Sequence, residues 1–199
     1  MLIHIEWVDL CWKTTLIDKI QILFKNTTVY STPKEYLPRD DKYESRERVW
    51  KFYLERLKEI EKKLKKNPEQ NIVLDRFYLS ELVYWKVIRW YNSNDMEEYQ
   101  KQVISKIKEL SEKYWYRIIY LSDKTESIRS RYLDKGDDYI KDKKYYHNLK
   151  VEYNKKINTL SKVFNVLSIN VFEDNSYRQD IIELIFLHDY VYKRDGQHN

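Results

Sequence analysis

Lys13-Thr14-Thr15 follow a short apolar run, Leu2-Ile3-His4-Ile5, and open a stretch of helical periodicity. A lysine and a hydroxyl at a strand-to-helix turn suit phosphate chemistry. The ammonium can reach the β- and γ-phosphates of a nucleotide, and the hydroxyl can ligate Mg2+. The loop that does this follows the pattern G-x-x-x-x-G-K-[ST]. Residues 7–14 read Trp7-Val8-Asp9-Leu10-Cys11-Trp12-Lys13-Thr14, so Lys13 and Thr14 complete the pattern while Trp7 and Trp12 stand at its glycine places. Glycine is wanted there because the loop wraps its N–H groups around phosphate, with unusual dihedrals and no side chain in the way. A second charged pair, Asp75-Arg76, comes directly after the apolar run Ile72-Val73-Leu74. In an open α/β sheet that position lies at the carboxyl edge, where ligands bind.

The elements that must place these groups are short strands alternating with helices. Leu2–Ile5, Thr28–Tyr30, Ile72–Leu74, Arg117–Leu121 and Val166–Val171 are predicted as strands. Helical spacing predicts helices over Thr14–Phe24, Lys42–Lys66, Tyr78–Tyr91, Met96–Tyr114, Thr125–Leu133, Asp142–Phe164 and Asp180–Leu187. This alternation argues a parallel sheet with helices on both faces, in one domain spanning residues 1–199. The tail after Tyr192 is expected to fray.

Composition narrows the function classes. Lys and Arg exceed Asp and Glu by 37 to 32, a net charge of +5. The charges are interspersed, as on solvated helix faces, rather than gathered into a nucleic-acid footprint. No apolar run reaches the roughly 18 residues of a membrane span. The start lacks a secretory pattern, which leads to an expectation of a cytoplasmic protein. The single cysteine, Cys11, excludes a disulfide framework, and the four histidines show no metal-ligand spacing. The chain has 2 Gly, no Ala, 6 Trp and 19 Tyr, against about 14 Gly expected at average usage.

The opening segment, Ile5-Glu6-Trp7-Val8-Asp9-Leu10-Cys11-Trp12-Lys13-Thr14-Thr15, resembles that of the thymidylate kinases, I-E-G-x-D-G-x-G-K-T-T. Glu6, Asp9, Lys13, Thr14 and Thr15 match; Trp7, Leu10 and Trp12 depart. Residues 72–84 resemble the second motif of that family, with Asp75, Arg76, Phe77, Ser80 and Tyr84 aligned and Glu81 replacing the usual hydroxyl or amide. Phe52 and Arg56 match F-x-x-x-R, and residues 128–140 resemble the family's mobile lid, with Arg131 at its first basic place and Lys135 at its second. The resemblance implies a three-layer α/β/α P-loop kinase fold with a five-stranded parallel sheet, a phosphate loop at 7–14 and a helical lid at about 125–145.

It also implies roles. Residues 7–15 and Lys135 would bind ATP. Thr14 and Asp75 would hold Mg2+ and its waters. Lys13, Arg76 and Arg131 would be catalytic, offsetting charge on the transferred phosphoryl group. Asp9, Phe52, Arg56, Arg76, Ser80 and Tyr84 would bind the acceptor: Phe52 stacks on the base, Arg56 bonds its carbonyl and Tyr84 lies under the sugar. The implied reaction is Mg-ATP-dependent phosphorylation of a pyrimidine deoxynucleoside monophosphate, first of all dTMP to dTDP. The implied partners are nucleotides, with neither nucleic acid nor membrane, and relatives of this kind are often homodimers.

Two alternatives stay open. One is a deoxynucleoside kinase, which phosphorylates the nucleoside hydroxyl. The other is a nucleotide-binding relative with impaired catalysis, because two indoles would crowd a phosphate loop. Trp7, Trp12, Trp85 and Trp90 all fall where the resemblance expects or tolerates glycine, and Trp115 precedes a strand. UGA and GGA differ by one base, so a gene in which UGA means glycine would give tryptophan at these places if translated under the wrong code, one that reads UGA as tryptophan. UGG codons at 7 and 12 would end that reading.

Overall fold

The computed structural model describes residues 1–7, 13–33, 42–88, 96–124, 126–127, 130 and 143–170. Among the described residues ten elements follow one another: β1 (Leu2–Trp7), α1 (Lys13–Leu23), β2 (Thr27–Ser31), α2 (Tyr43–Lys66), β3 (Asn71–Asp75), α3 (Tyr78–Ile88), α4 (Glu97–Lys113), β4 (Tyr116–Ser122), α5 (Lys143–Leu160) and β5 (Val166–Asn170). The strands form one five-stranded sheet in the order β2-β3-β1-β4-β5, parallel at every junction. The expected α/β architecture is therefore present. Most of the expected lid and of Thr125–Leu133, and the whole of the helix Asp180–Leu187 and the tail, lie outside the described residues.

The central strands are apolar because parallel strands covered on both faces have no solvated side. Every residue of β1 is buried, as are Ile72, Val73 and Leu74 of β3 and Tyr116–Leu121 of β4. β1 runs two residues past its apolar stretch because its pairing with β4 continues from Leu2↔Tyr116 to Trp7↔Leu121. Pairing with β3 ends at Ile5↔Asp75. This register sets Trp7 and Asp75 at the carboxyl edge of adjacent strands. The chain leaves β1 toward β2 on one side and leaves β3 toward β4 on the other. The edge between β1 and β3 is thus the topological switch point, where such sheets bind ligands.

The helices close the core with apolar stripes. α2 buries Val49, Trp50, Phe52, Tyr53, Leu57, Ile60 and Leu64, and carries Lys63, Lys65 and Lys66 in its last turn, where cations complement the helix dipole. Asn67-Pro68 then stops it. α4 begins with Glu97 and Glu98, ends with Lys113, and buries Val103, Ile107 and Leu110. α2 packs on α4, and α3 on α5. Asn26 makes the turn from α1 to β2 at φ +62°, a left-handed conformation that asparagine tolerates better than most side chains. No helix among the described residues is long and apolar enough to cross a membrane.

Candidate active site at the edge of β1 and β3

Lys13 is the first residue of α1, the element that follows β1. Asp75 is the last residue of β3. The switch point brings these two together across 62 positions of sequence: Lys13 Nζ donates to Asp75 Oδ2 at 2.9 Å, with the side chains 27% and 13% exposed. Burial pushes the Asp75 carboxyl above its ordinary range, and the hydrogen bond and charge of Lys13 pull against that shift. Asp75 Oδ1 is buried with no hydrogen-bond partner among the described residues. A carboxylate with one bonded and one unbonded oxygen at the switch point has the chemistry to take a cation or water. Hard oxygen donors of this kind suit Mg2+, which usually keeps several waters and takes only one or two carboxylates plus substrate phosphates. Thr14 lies exposed on the first turn of α1, next to Lys13. No group of three or more His, Cys, Asp or Glu that could hold a metal ion occurs among the described residues.

Arg76 turns the chain from β3 into α3. It adopts φ +54°, which costs a non-glycine residue about 1–2 kcal/mol. Its backbone is held on both sides: its N–H donates to Ile5 O at 3.2 Å, and its carbonyl accepts from Thr32 Oγ1 at 3.4 Å. The guanidinium carbon lies 4.4 Å from the centre of the Trp7 ring and 5.5 Å from that of Tyr84. Lys13 Nζ also lies 4.4 Å from the Trp7 ring. Two cations to which the resemblance gives a phosphate role therefore share one indole, itself only 3% exposed. Cation–π contacts are worth about 0.5–2 kcal/mol each. Charge-assisted bonds to a phosphate are stronger, but the indole fills space beside both cations.

The remaining expected residues fall into two groups. Phe52 and Arg56, one helical turn apart on α2, do meet: the guanidinium lies 5.1 Å from the Phe52 ring and 4.7 Å from the Tyr30 ring. Arg56 donates to Glu59 Oε2 at 2.8 Å, and Tyr30 OH donates to Glu59 Oε1 at 3.0 Å. Tyr53, beside Phe52, packs 4.5 Å from Phe77, which joins this group to the Arg76 turn. Ser80 lies deeper. Its hydroxyl donates to Glu6 Oε2 at 2.5 Å and is 3.0 Å from Tyr153 OH. Val8, Asp9, Leu10, Cys11, Trp12, Arg131 and Lys135 lie outside the described residues.

Two residues at this edge have partners that the sequence does not show: Glu6, matched there only as part of the opening motif, and His4. Glu6 and His4 are fully buried on β1. Being two apart, they share one face of the strand, and His4 Nε2 lies 2.8 Å from Glu6 Oε1. His4 Nδ1 lies 3.1 Å from Tyr116 OH. A charged residue and a histidine alternating within an otherwise apolar strand were the available signal.

No family model matches the sequence, and no curated protein matches it. Solved structures do. The YorR protein of Bacillus subtilis, in complex with phosphorylated GDP, is 21% identical with a TM-score of 0.62, over 96% of this chain and 98% of that one. Deoxyadenosine kinase from M. mycoides, with bound dCTP, is 20% identical with a TM-score of 0.59, over 96% of this chain and 100% of that one. Thymidylate kinase from Candida albicans is 16% identical with a TM-score of 0.63, over 100% of this chain and 93% of that one. The chain has the fold of P-loop kinases of the thymidylate and deoxynucleoside kinase type.

Proposed function

We propose that the protein is a nucleotide kinase, moving the γ-phosphoryl group of ATP to the phosphate of a pyrimidine deoxynucleoside monophosphate, dTMP first. The observation that carries this is the meeting of Lys13 and Asp75 at 2.9 Å on the switch-point edge, with the Arg76 guanidinium over the same indole as Lys13. In the transfer, an acceptor phosphate oxygen attacks the γ-phosphorus, the bond to the β–γ bridging oxygen breaks, and ADP leaves. Most of the catalysis in such a reaction is positioning and charge stabilisation. Lys13 would hold the β- and γ-phosphates, Arg76 would hold the acceptor phosphate near the reacting atoms, and Tyr84 beneath it would support the sugar. Phe52 and Arg56 would take the base. Asp75 and Thr14 would hold Mg2+, which when bound supplies charge neutralisation on the phosphates. Asp9, Ser80, Arg131 and Lys135 complete the proposed set, with Arg131 as the lid cation.

This activity is proposed for the chain with glycine at 7 and 12. With tryptophan at 7, phosphate would have to displace the indole from its contacts with Lys13 and Arg76. That geometry favours a second reading for the chain as printed: a nucleotide-binding relative with weak turnover. A deoxynucleoside kinase is the sibling reading. An ADP-release assay with Mg-ATP and either dTMP or thymidine separates the two acceptors. Turnover with dTMP supports the proposal; turnover with thymidine alone overturns it.

A further inference from the structure

We infer that Glu6 is a positioning residue that caps α3 from a neighbouring strand and thereby fixes the left-handed turn presenting Arg76; its catalytic consequence rests on the kinase reading above. Phe77 precedes α3 and carries no oxygen with which to satisfy the free N–H groups of the first turn. Helix starts normally place Ser, Thr, Asp or Asn there. Here Glu6, 71 residues away, does that work. Its Oε1 accepts from Phe77 N–H at 2.9 Å and Ser80 N–H at 3.4 Å, and its Oε2 accepts from Ser80 Oγ at 2.5 Å. The N–H before the helix and the N–H of its third residue are the two that a capping box satisfies. A carboxylate at that end also complements the helix dipole.

The cap sits one residue from Arg76. Ile5 O takes the Arg76 N–H and Glu6 takes the Phe77 N–H, so two adjacent residues of β1 hold two adjacent residues of the turn. A non-glycine residue at φ +54° persists only where its surroundings over-determine it. His4 Nε2 at 2.8 Å braces Glu6 from behind, and Tyr153 on α5 braces Ser80 at 3.0 Å. Glu6 touches no substrate in this account. It acts through the backbone that aims Arg76.

The test is Glu6→Gln, read by amide exchange and by a double-mutant cycle with Arg76→Ala. In the printed chain, Glu6→Gln is expected to speed exchange at Phe77 and Ser80 about tenfold, the size of a lost cap, with Leu16, Ile17 and Ile20 of α1 unchanged. In whichever form turns over, with Trp or Gly at 7 and 12, it is expected to lower kcat about 100-fold with KM for ATP within about threefold, because misplacement by an ångström costs that much. In the Arg76→Ala background the same substitution should then cost almost nothing further. Equal losses with and without Arg76, unchanged exchange at Phe77 and Ser80, or a uniform rise across the sheet would each overturn the inference. If no form turns over any nucleotide, the kinase reading fails, and exchange confined to residues 77–80 still supports the cap. Should Glu6→Gln not fold, Ser80→Ala removes one donor and is expected to raise the same two amides about threefold; no rise there overturns the cap.

Discussion

Asp75 and Arg76 both sit where stability alone would not put them. The Asp75 carboxyl is raised by burial, with Lys13 opposing, so the folded state binds its proton more tightly than the unfolded chain does. Its ionisation therefore lowers stability as pH rises above the ordinary carboxylate value of 3.8. Asp75→Asn should leave the melting temperature at pH 7 no more than about 3 °C below the parent, the equivalent of about 1 kcal/mol. Phosphoryl transfer should fall at least about 100-fold. Melting curves and ADP release check the two halves, and a large loss of stability would make Asp75 a structural residue. Arg76→Gly is the matching test on the backbone. Glycine takes φ +54° freely, so stability should hold within about 1 kcal/mol while transfer is lost. The Asp-Arg pair was legible in sequence because it follows an apolar run. The turn's conformation and its partner Glu6 were not, because the partner is 71 residues distant and only the sheet register brings it near.

At the scale of elements, strands and helices were legible from periodicity, and their ends shifted for tertiary reasons. β1 extends to Trp7 because β4 continues to pair with it, and α1 begins at Lys13 rather than Thr14. His4 has no metal-ligand spacing in the sequence, yet strand alternation places it on one face with Glu6. The join between α2 and α4 is ionic as well as apolar. Glu61 on α2 lies 2.7 Å from Lys106 on α4 and 2.7 Å from Lys65 on its own helix. Hydrogen bonds from Lys106 first, then Lys65, hold the Glu61 carboxyl down at about 2. A depressed carboxylate contributes stability that is fully present above its ordinary value of 4.5 and is lost as pH falls toward about 2. Melting temperatures taken between pH 5 and 2 should therefore drop less steeply for Glu61→Gln than for the parent; parallel curves would remove this bridge from the account.

Over the whole molecule, fold and function separate at Trp7. The sheet order, the switch point and the likeness to solved kinases are present in the chain with tryptophan at that position. The proposed chemistry conflicts with it, because the buried indole lies against both of the cations that phosphate would use. The scarcity of glycine was legible as an anomaly of composition. Its place in the mechanism needed the geometry, since only the structure puts Lys13 and Arg76 on one ring. Sequencing the gene gives the first check: UGA codons at 7 and 12 are expected, and UGG would assign the tryptophans to the native chain. The most direct measurement of the central claim is the initial rate of ADP formation from Mg-ATP and dTMP by the Trp7→Gly, Trp12→Gly protein, compared with the same protein carrying Lys13→Ala. The account predicts transfer to dTMP that falls at least about 100-fold when Lys13 is removed. A rate with dTMP no higher than that of the Lys13→Ala control would contradict it.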